Sequence, residues 1–570
     1  MHGYRLHKYL LLLMYGNNNP GIQPSYPGSI KCVLENQHHG NGFVNDFRDA
    51  LAQGYGDYLE TLTSWLEGLG LGYSAQVSYN LPIDMETNID KVSAPECESL
   101  AFNDNIDGYR QFSGPASIAQ KSVISNEMGA DMNKALRLPI SELLGQINKA
   151  YVSDGLLAPQ SPAYQALVVI TSENMTLEAI SKIHQFAEAG LRIILDAGLP
   201  GYYASGNGSE QNSVNAALKR LQDSENVHTA QNGLLAAKLK ELEIRPRVEV
   251  STPKNATWYP VLRSDESTDY VFLFNEGNTS AGHILVNSTK TPYILNSWTG
   301  ERAAVLTYQV RGHGTKIPLS LAADETVVLA FSNHWGSEVA TSSSHAVHVP
   351  SNLMNYNFTT SRELDVHVGT EPLSKDQFLK LSNGKTYSIS GSTVSPSFSL
   401  ENWKLVAKHW EAPKNMSDAT VIAEKHNTTH HLDSLVSWLD IPGLHNASGV
   451  GNYSTRFSWP PTASGDTQIK GAYISLPQIS HGLKLFINEQ PVQNLNFAKP
   501  IIDIGPFLRN GSNSVVAVVP TLMWNYISSI YQDIEISGSK PMLTTLPGKV
   551  DTGLIGEVHV IPYTTHRISM

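Results

Sequence analysis

The spacing of apolar residues changes at about Pro246, and this change divides the chain into two parts that must fold differently. Before it, apolar residues recur at helical spacing or in short continuous runs, as in helices that alternate with buried parallel strands. After it, short alternating segments are separated by Gly, Asn and Asp turns, which is typical of antiparallel β-sandwiches. The 570-residue chain is therefore predicted to be multidomain, with an α/β part followed by an all-β part.

The first part opens with an amphipathic helix. Apolar residues recur at helical spacing from Val44 to Trp65, and Gly68 supplies a stop. Strands are predicted at residues 73–79 and 122–125, with a polar loop between them and a helix at 140–151. This order is that of a parallel (β/α)₈ barrel, of which residues 1–155 supply only a part.

Three further domains are predicted after the partial barrel. Two apolar strands at 166–171 and 191–195, joined by a helix at 177–189, indicate a small doubly wound, flavodoxin-like α/β domain. Its glycines do not form a GxGxxG pattern, so no dinucleotide site is predicted. The predicted domains are residues 156–245 for this unit, 246–395 for a β-sandwich and 396–570 for a jelly roll.

Glu127 is the leading catalytic candidate. It follows the β-prone run that begins at Lys121, and barrel enzymes place their chemistry at the carboxyl ends of strands. A glutamate there can act as an acid, a base or a nucleophile. The alternative, a solvated loop residue or a structural hydrogen-bond acceptor, stays open.

Charge and hydropathy exclude some partners. The net charge is −12 and no cluster of Lys and Arg occurs, so a nucleic-acid partner is not expected. No apolar run reaches the ~20 residues needed to cross a bilayer. The segment Tyr9–Tyr15 superficially resembles a signal-peptide core, but it lacks an Ala-x-Ala-like cleavage site, and we expect a buried structural segment.

Sequons for N-glycosylation are dense, which predicts a glycosylated, extracellular protein. They begin at Asn174, Asn207, Asn255, Asn278, Asn287, Asn357, Asn415, Asn427, Asn446, Asn452 and Asn510. Only two cysteines occur, Cys32 and Cys97, and they can either pair in an oxidising compartment or remain isolated buried thiols. No zinc site is predicted, and the doublets His38–His39 and His430–His431 are expected in surface loops.

Five segments carry a family resemblance. Residues 95–100, 107–110 and 124–127 resemble uncharacterised fungal secreted proteins that are distantly related to the glycoside hydrolase family 106 α-L-rhamnosidases. The segment Gly449–Thr455 and the DIG-x-x-L-R-x-G-x-N-x-V pattern of Asp503–Val515 resemble the galactose-binding-like jelly roll attached to many glycosidases.

The resemblance implies an inverting glycoside hydrolase that acts on rhamnose-containing or related plant polysaccharide side chains. It makes Glu127 the general base and puts Glu96, Glu98, Asp107 and Arg110 at the substrate. No organic cofactor is implied. Calcium is the one metal ion that relatives of this kind can hold near the acidic segment, because it prefers hard oxygen ligands, but no metal ligand is secure.

The sequence also departs from the family pattern. A closed barrel needs about 250 residues, so we expect a truncated and internally deleted barrel whose general acid lies upstream. The alternative function is a non-catalytic carbohydrate-binding protein or inactive fragment, which leaves enzymatic activity open, and the oligomeric state is not predicted. Candidate sugar platforms, most of them expected in the core, are Trp403, Trp410, Trp438, Trp459 and Trp524.

Overall fold

The computed structural model divides the chain into two compact units, residues 1–245 and 246–570. The structure describes residues 4–5, 7–9, 37–77, 86–98, 106–127, 151–159, 163–171, 174–202, 211–337, 339, 341–369, 378–389, 396–411, 415, 418, 420, 424–461, 469–479, 482–493, 495–496, 499–531 and 548–570. Within these ranges, no helix has the length and apolar character needed to cross a membrane.

Helices are few, and strands dominate the second unit. The described α-helices are α1 Gln37–Glu67, α2 Ile106–Ile118, α3 Leu177–Glu188, α4 Gln211–Gln222, α5 Leu235–Glu241 and α6 Trp524–Ser529. The strands of the first unit are β1 Ser74–Gln76, β2 Ala94–Glu98, β3 Ser125–Glu127, β4 Val152–Ser153, β5 Leu156–Leu157, β6 Ala166–Ile170, β7 Asn174–Met175, β8 Arg192–Asp196, β9 Gly201–Tyr202 and β10 Val227–Ala230.

The strands of the second unit run from β11 to β34. They are β11 Val248–Ser251, β12 Ala256–Ser264, β13 Thr268–Gly277, β14 Ser280–Val286, β15 Pro292–Leu295, β16 Arg302–Ala304, β17 Gln309–Arg311, β18 Gly314–Leu321, β19 Thr326–Ser332, β20 Ala346–His348, β21 Leu353–Thr360, β22 Glu363–Val368, β23 Phe378–Leu381, β24 Thr386–Ser388, β25 Phe398–Ser399, β26 Trp403–Glu411, β27 Glu424–Leu432, β28 Gly449–Trp459, β29 Gly471–Ser475, β30 Lys484–Ile487, β31 Gln490–Val492, β32 Ile501–Asp503, β33 Gly511–Pro520 and β34 His559–Ser569.

The first parallel sheet has the order β1-β2-β3, with helices packed on one face. Leu59 of α1 and Phe112 of α2 are buried together with Cys97 of β2 in one apolar cluster. The helix predicted between residues 44 and 65 is confirmed, and it ends one residue before Gly68, whose N–H donates to the carbonyl of Ser64 at 3.1 Å. An apolar layer between helices and a parallel sheet is what the alternating pattern predicts.

The predicted strand at 122–125 is wrong in its position. The strand is β3, Ser125–Glu127, whereas Val123 and Ile124 lie before it with exposed fractions of 54% and 38%. Two neighbouring apolar residues indicated a strand there, but the pairing with β2 begins only at Ser125. Glu127 is the last residue of the strand, in line with the prediction that the run ends in this carboxylate. β1 is also shorter than the predicted 73–79, and residues 140–150 lie outside the described residues.

The second parallel sheet has the order β10-β8-β6. The predicted strands are confirmed as β6 and β8, and the predicted helix is confirmed as α3. Thr176 caps α3 by accepting from the N–H of Ala179 at 3.2 Å. Helices α3 and α4 share one core with Ile193, whereas Val168 and Ile170 of β6 remain partly exposed. A doubly wound sheet carries helices on both faces. Ile194 of β8, next to Ile193 and on the opposite face of the strand, is also fully buried, so both faces of β8 are covered. The doubly wound arrangement stays a prediction.

The second unit begins with a pair of antiparallel sheets, as the alternating pattern predicts. Their orders are β11-β14-β18-β17 and β12-β13-β19-β15-β16. One cluster that contains Trp258, Val271, Ile284 and Leu329 lies between them. Successive side chains along a strand point to opposite faces of the sheet, so β13 contributes residues to this core at alternate positions.

A second sandwich follows, and its last strand extends into the preceding region. The sheet β27-β26-β28-β33-β30-β31 packs on the sheet β21-β22-β34-β29-β32 around a core that contains Trp403, Trp438 and Tyr453. The strand β34 pairs with β29 through residues 559–563 and with β22 through residues 564–569. One continuous sheet thus spans the predicted boundary near residue 395. A further small sheet has the order β20-β23-β24.

The DIG-x-x-L-R-x-G-x-N-x-V pattern is explained by a buried amide network. Asn513 is fully buried, and its Oδ1 accepts from the N–H of Arg509 at 2.8 Å while its Nδ2 donates to the carbonyl of Arg509 at 2.8 Å. Asn488 donates to Oδ1 of Asn513 at 2.8 Å and accepts from the N–H of Ser514 at 2.9 Å. These two amides hold the turn that leads into β33, so the pattern has a structural cause independent of any ligand.

Replacing Asn513 by Ala is expected to destabilise the second unit. The change removes the partner of the N–H and C=O of Arg509 and one acceptor of the buried Asn488 amide, and a buried polar group left unpaired costs about 1–3 kcal/mol. The measurement is the free energy of unfolding in urea for protein made without glycosylation. Asn510→Ala, at an exposed position three residues away, is the matched control and is expected to change stability by less than about 0.5 kcal/mol. Equal stability of the two variants would contradict the buried network.

Candidate functional site

The carboxyl ends of β2 and β3 bring the predicted acidic residues together. The strands are parallel, with Glu96 beside Ser125 and Glu98 beside Glu127 in the register. Alternation along a strand puts Glu96 and Ser125 on one face of the sheet and Cys97 on the other. Cys97 lies on the side covered by α1 and α2. Glu96 and Ser125 therefore lie on the face turned away from these two helices, which in a barrel is the inner face.

A polar row crosses this face. The hydroxyl of Ser125 donates to Oε2 of Glu96 at 2.9 Å, and it lies 3.4 Å from the hydroxyl of Ser74. Gln76 is the register partner of Glu96 on β1. One carboxylate, one amide and two hydroxyls thus line three neighbouring strands. Such a set of donors and acceptors can bind sugar hydroxyls.

Cys97 takes no part in this row. Its thiol is 7% exposed and free, and it lies 3.6 Å from the carbonyl of Ser125. Burial, with a smaller contribution from the charge of Glu96, raises the pKa of the Cys97 thiol to about 11. The thiol is therefore protonated at neutral pH and cannot act as a nucleophile. Of the two possibilities open for the cysteines, Cys97 is an isolated buried thiol, and Cys32 lies outside the described residues.

Asp107 and Arg110 do not lie in a loop. They are the second and fifth residues of α2, and residues 95–98 belong to β2, so the prediction of a polar loop through residues 95–110 is wrong at both ends. Residues 99–105 lie outside the described residues. The abundance of Asp and Asn indicated a loop, but acidic and polar residues are also favoured at helix N-termini. Because α2 follows β2, its N-terminus begins near the carboxyl edge of the sheet. Asp104, a further acidic candidate, lies outside the described residues.

The second unit contains a polar cluster that the sequence did not reveal. His367 of β22, Tyr563 of β34, Tyr473 of β29 and Asp503 of β32 come from four neighbouring strands. Nδ1 of His367 lies 2.7 Å from the hydroxyl of Tyr473, and its ring stacks on that of Tyr563 with 4.1 Å between centroids. The hydroxyl of Tyr563 donates to Asp503 at 3.1 Å. The cluster links four strands across the continuous sheet.

Burial controls the protonation of this cluster. It raises the pKa of Tyr473 and of Tyr563, and the carboxylate of Asp503 adds to the rise, so both phenols remain protonated. Burial also lowers the pKa of His367, although Asp503, 4.0 Å away, and Asp365 act in the opposite direction. The absence of a side chain at Gly471 makes room for the ring of Tyr563, since a Cβ there would lie 2.6 Å from the hydroxyl of Tyr563.

The tryptophans proposed as sugar platforms fall into two groups. Trp403 and Trp438 are 1% and 0% exposed and belong to the core, as expected for most of the set. Trp410, Trp459 and Trp524 are half-buried. The ammonium of Lys425 lies 4.5 Å above the ring of Trp410 and occupies one of its faces.

No group of three or more His, Cys, Asp or Glu side chains suited to a metal ion is found in the part of the chain that the structure describes. The doublet His430–His431 lies in β27 and not in a surface loop, because the backbone at these two residues pairs with Leu405 and Lys404 of β26. The prediction of a loop there is wrong.

No family model matches the chain, and no curated protein sequence matches it. Among solved structures, a rhamnosidase from Novosphingobium sp. PP1Y superposes with a TM-score of 0.61 and 14% sequence identity. The match covers 99% of this chain and 59% of that rhamnosidase, so the chain spans about three-fifths of its length. At this identity the likeness concerns the fold alone.

A β-glucuronidase from Ruminococcus gnavus also matches, over 30% of each chain and with 13% identity. Its TM-score of 0.18 is too low to support any statement about function.

The His367 cluster predicts that acid destabilises the second unit. The pKa of His367 is lowered in the folded state relative to the ordinary value near 6.5, so the unfolded state binds more protons as the pH falls. The stability contributed by neutral His367 is present above about pH 6.5 and is lost as the pH falls through the folded-state pKa. His367→Asn, which keeps a polar group but cannot titrate, should flatten the loss of stability between pH 7.5 and pH 5.

The measurement is urea unfolding at several pH values, and His431→Asn, at an exposed position in β27, is the control. A slope of stability against pH that is the same in the His367 variant and the parent protein would contradict the assignment.

Proposed function

We propose that this chain is a glycoside hydrolase-related protein that acts on rhamnose-containing or related plant polysaccharide side chains. The main support is the position of Glu127 at the carboxyl end of a parallel strand, beside Glu98 in the register. The rhamnosidase fold shared over 99% of the chain is the second support. Carbohydrate is the expected partner.

The proposed mechanism is inversion with two carboxylates. Glu127 acts as the general base that removes a proton from the attacking water, and a carboxylic acid on the opposite side of the sugar protonates the leaving oxygen. An inverting pair of carboxyl groups is separated by about 6.5–9.5 Å. Glu98 is the register partner of Glu127, and neighbouring strands lie only about 4.8 Å apart. We therefore assign Glu98 to substrate binding and the general acid to a different element.

Glu96 completes the proposed substrate-binding set with Glu98, Asp107 and Arg110. The carboxylate of Glu96 already accepts from Ser125, so it is fixed in orientation and can accept from a sugar hydroxyl. Calcium at Glu96 and Glu98 is proposed on the family resemblance alone, and no step of the mechanism depends on it.

The test compares the purified chain with Glu127→Gln on aryl α-L-rhamnosides and rhamnose-containing polysaccharides. A positioned general base contributes about 10²–10⁴-fold, so kcat should fall by that factor while the thermal midpoint is unchanged. Glu266→Gln, at an exposed position in the second unit, is the matched control and should retain full activity. Equal activity of the Glu127 variant and the parent protein would remove Glu127 from the mechanism. Loss of activity in EDTA, restored by calcium, would support the metal proposal.

The second candidate function is carbohydrate binding without catalysis. The observation in its favour is that the second sandwich has its own hydrophobic core, which lies between its two sheets. Binding on a glycan array with no hydrolysis of any substrate would favour this function. Hydrolysis by the 570-residue chain would exclude it.

A further inference from the structure

We propose that Asn357 and Asn427 carry N-linked glycans and that these glycans protect two exposed sheet edges from pairing with other chains. Nothing in this proposal depends on the glycosidase function. It combines three observations, which concern the exposure of the sequons, the edges of the sheets and the composition of the edge strands.

The first observation is that the structure exposes the sequons. Nine of the eleven sequon asparagines have side chains that the structure describes: Asn278, Asn287, Asn255, Asn357, Asn415, Asn427, Asn446 and Asn510 are exposed, and Asn452 is half-buried. The buried asparagines of the described residues are Asn88, Asn275, Asn352, Asn488, Asn513 and Asn525, and none begins a sequon. A glycan at any of the eight exposed positions therefore projects into solvent without disturbing the core.

The second observation is where two of these asparagines lie. Asn357 is in β21 and Asn427 is in β27, and each strand lies at the end of its sheet. An edge strand leaves one row of backbone N–H and C=O groups unpaired, and such a row can accept a strand of another molecule. Both asparagines are near the middle of their strands, with Asp365 and Lys408 as cross-strand neighbours.

The third observation is that the other edges of the second unit have different protection. Edge strands are commonly blunted by shortness or by proline. Within the described residues, β11, β16, β17, β20, β24, β31 and β32 have three or four residues each. The nine-residue edge strand β12 contains Pro260. The long edge strands without proline are β21, with eight residues, and β27, with nine.

A glycan is suited to this role because paired strands must approach to within about 4.7–4.9 Å. A bulky, hydrated oligosaccharide at the centre of an edge strand occupies the volume that an incoming strand or stacked sheet needs. The chain thus has a sequon at the centre of each long edge strand that lacks proline. Register irregularities in β21 and Lys425 near the start of β27 act away from the middle of these strands, and a glycan adds a block at the centre of each. Attachment requires passage through a compartment that performs N-glycosylation, and the proposal therefore also predicts entry into the secretory pathway.

The test uses the full chain secreted from a eukaryotic host behind a leader supplied by that host. Peptide mass spectrometry should find glycans at Asn357 and Asn427 in most molecules. The double variant N357Q/N427Q should then form soluble aggregates at several times the level of the parent protein in size-exclusion chromatography with light scattering. The control is N278Q/N510Q, which removes two glycans from turns that are not part of an edge strand, and it should behave like the parent protein.

Two further variants separate edge protection from a general effect of glycans. T359A/T429A removes both sequons and keeps both asparagines, so it should aggregate like N357Q/N427Q. N357K/N427K replaces each glycan by a charge, another natural way to block an edge, and should restore the monomer. If the glutamine variant is not secreted, recovery of secretion by the lysine variant supports the proposal. Unoccupied sites, a monomeric glutamine variant or no recovery by lysine would each overturn it.

Discussion

The pairing of β34 with both β22 and β29 is the constraint on which the second unit depends. Residues 559–569 form one strand that is central in its sheet, with one half bonded to each neighbour. The two paired segments precede it in the chain by about 90 and 200 residues, so the sheet closes only when distant parts of the chain meet. Pairing over such separations is costly in loop entropy and slow to form. The same strand contributes Tyr563 to the polar cluster and Val560 to the core of the second sandwich, so the sheet joins the cluster to the core.

The parallel register of β2 and β3 has a similar importance for the first unit. It puts Glu98 beside Glu127 and Glu96 beside Ser125, although about 30 residues separate each pair in the sequence. The helices cover the opposite face, where Cys97 is buried. An acidic surface on a parallel sheet persists only where solvent, a ligand or a cation compensates the charges. A substrate-binding role for these positions stays a prediction.

Local patterns predicted some elements well. The helix from Val44 to Trp65 follows from the helical spacing of its apolar residues. The strands β6 and β8 follow from their β-branched composition. Each of these elements buries one or both faces against its neighbours, and burial is what produces such local patterns. The position of β3 could not be predicted in this way, since Val123 and Ile124 are apolar yet exposed. Long-range pairing defines that strand, and pairing leaves no local signal.

The candidate site was also predictable only in part, because pairing between distant strands leaves no local signal. Glu127 could be selected from a strand-like run that ends in a carboxylate, and Glu96 and Glu98 from the family resemblance, but the pairing of their strands required the register. Asp107 and Arg110 were assigned to a loop because composition alone does not distinguish a polar loop from the N-terminus of a helix. The cluster of His367, Tyr473, Tyr563 and Asp503 gave no signal in the sequence, because its members are brought together only by four strands of one sheet.

The protonation of Cys97 affects how the protein tolerates an oxidising environment. With its pKa raised to about 11, the thiol is ionised in roughly one molecule in ten thousand at neutral pH. Peroxides and mixed disulfides react with the thiolate, and the surrounding apolar cluster also denies them access. A lone sulfhydryl of this kind can pass through a disulfide-forming compartment without scrambling. The chain can therefore keep an unpaired cysteine in its core where an exposed one would crosslink neighbouring molecules.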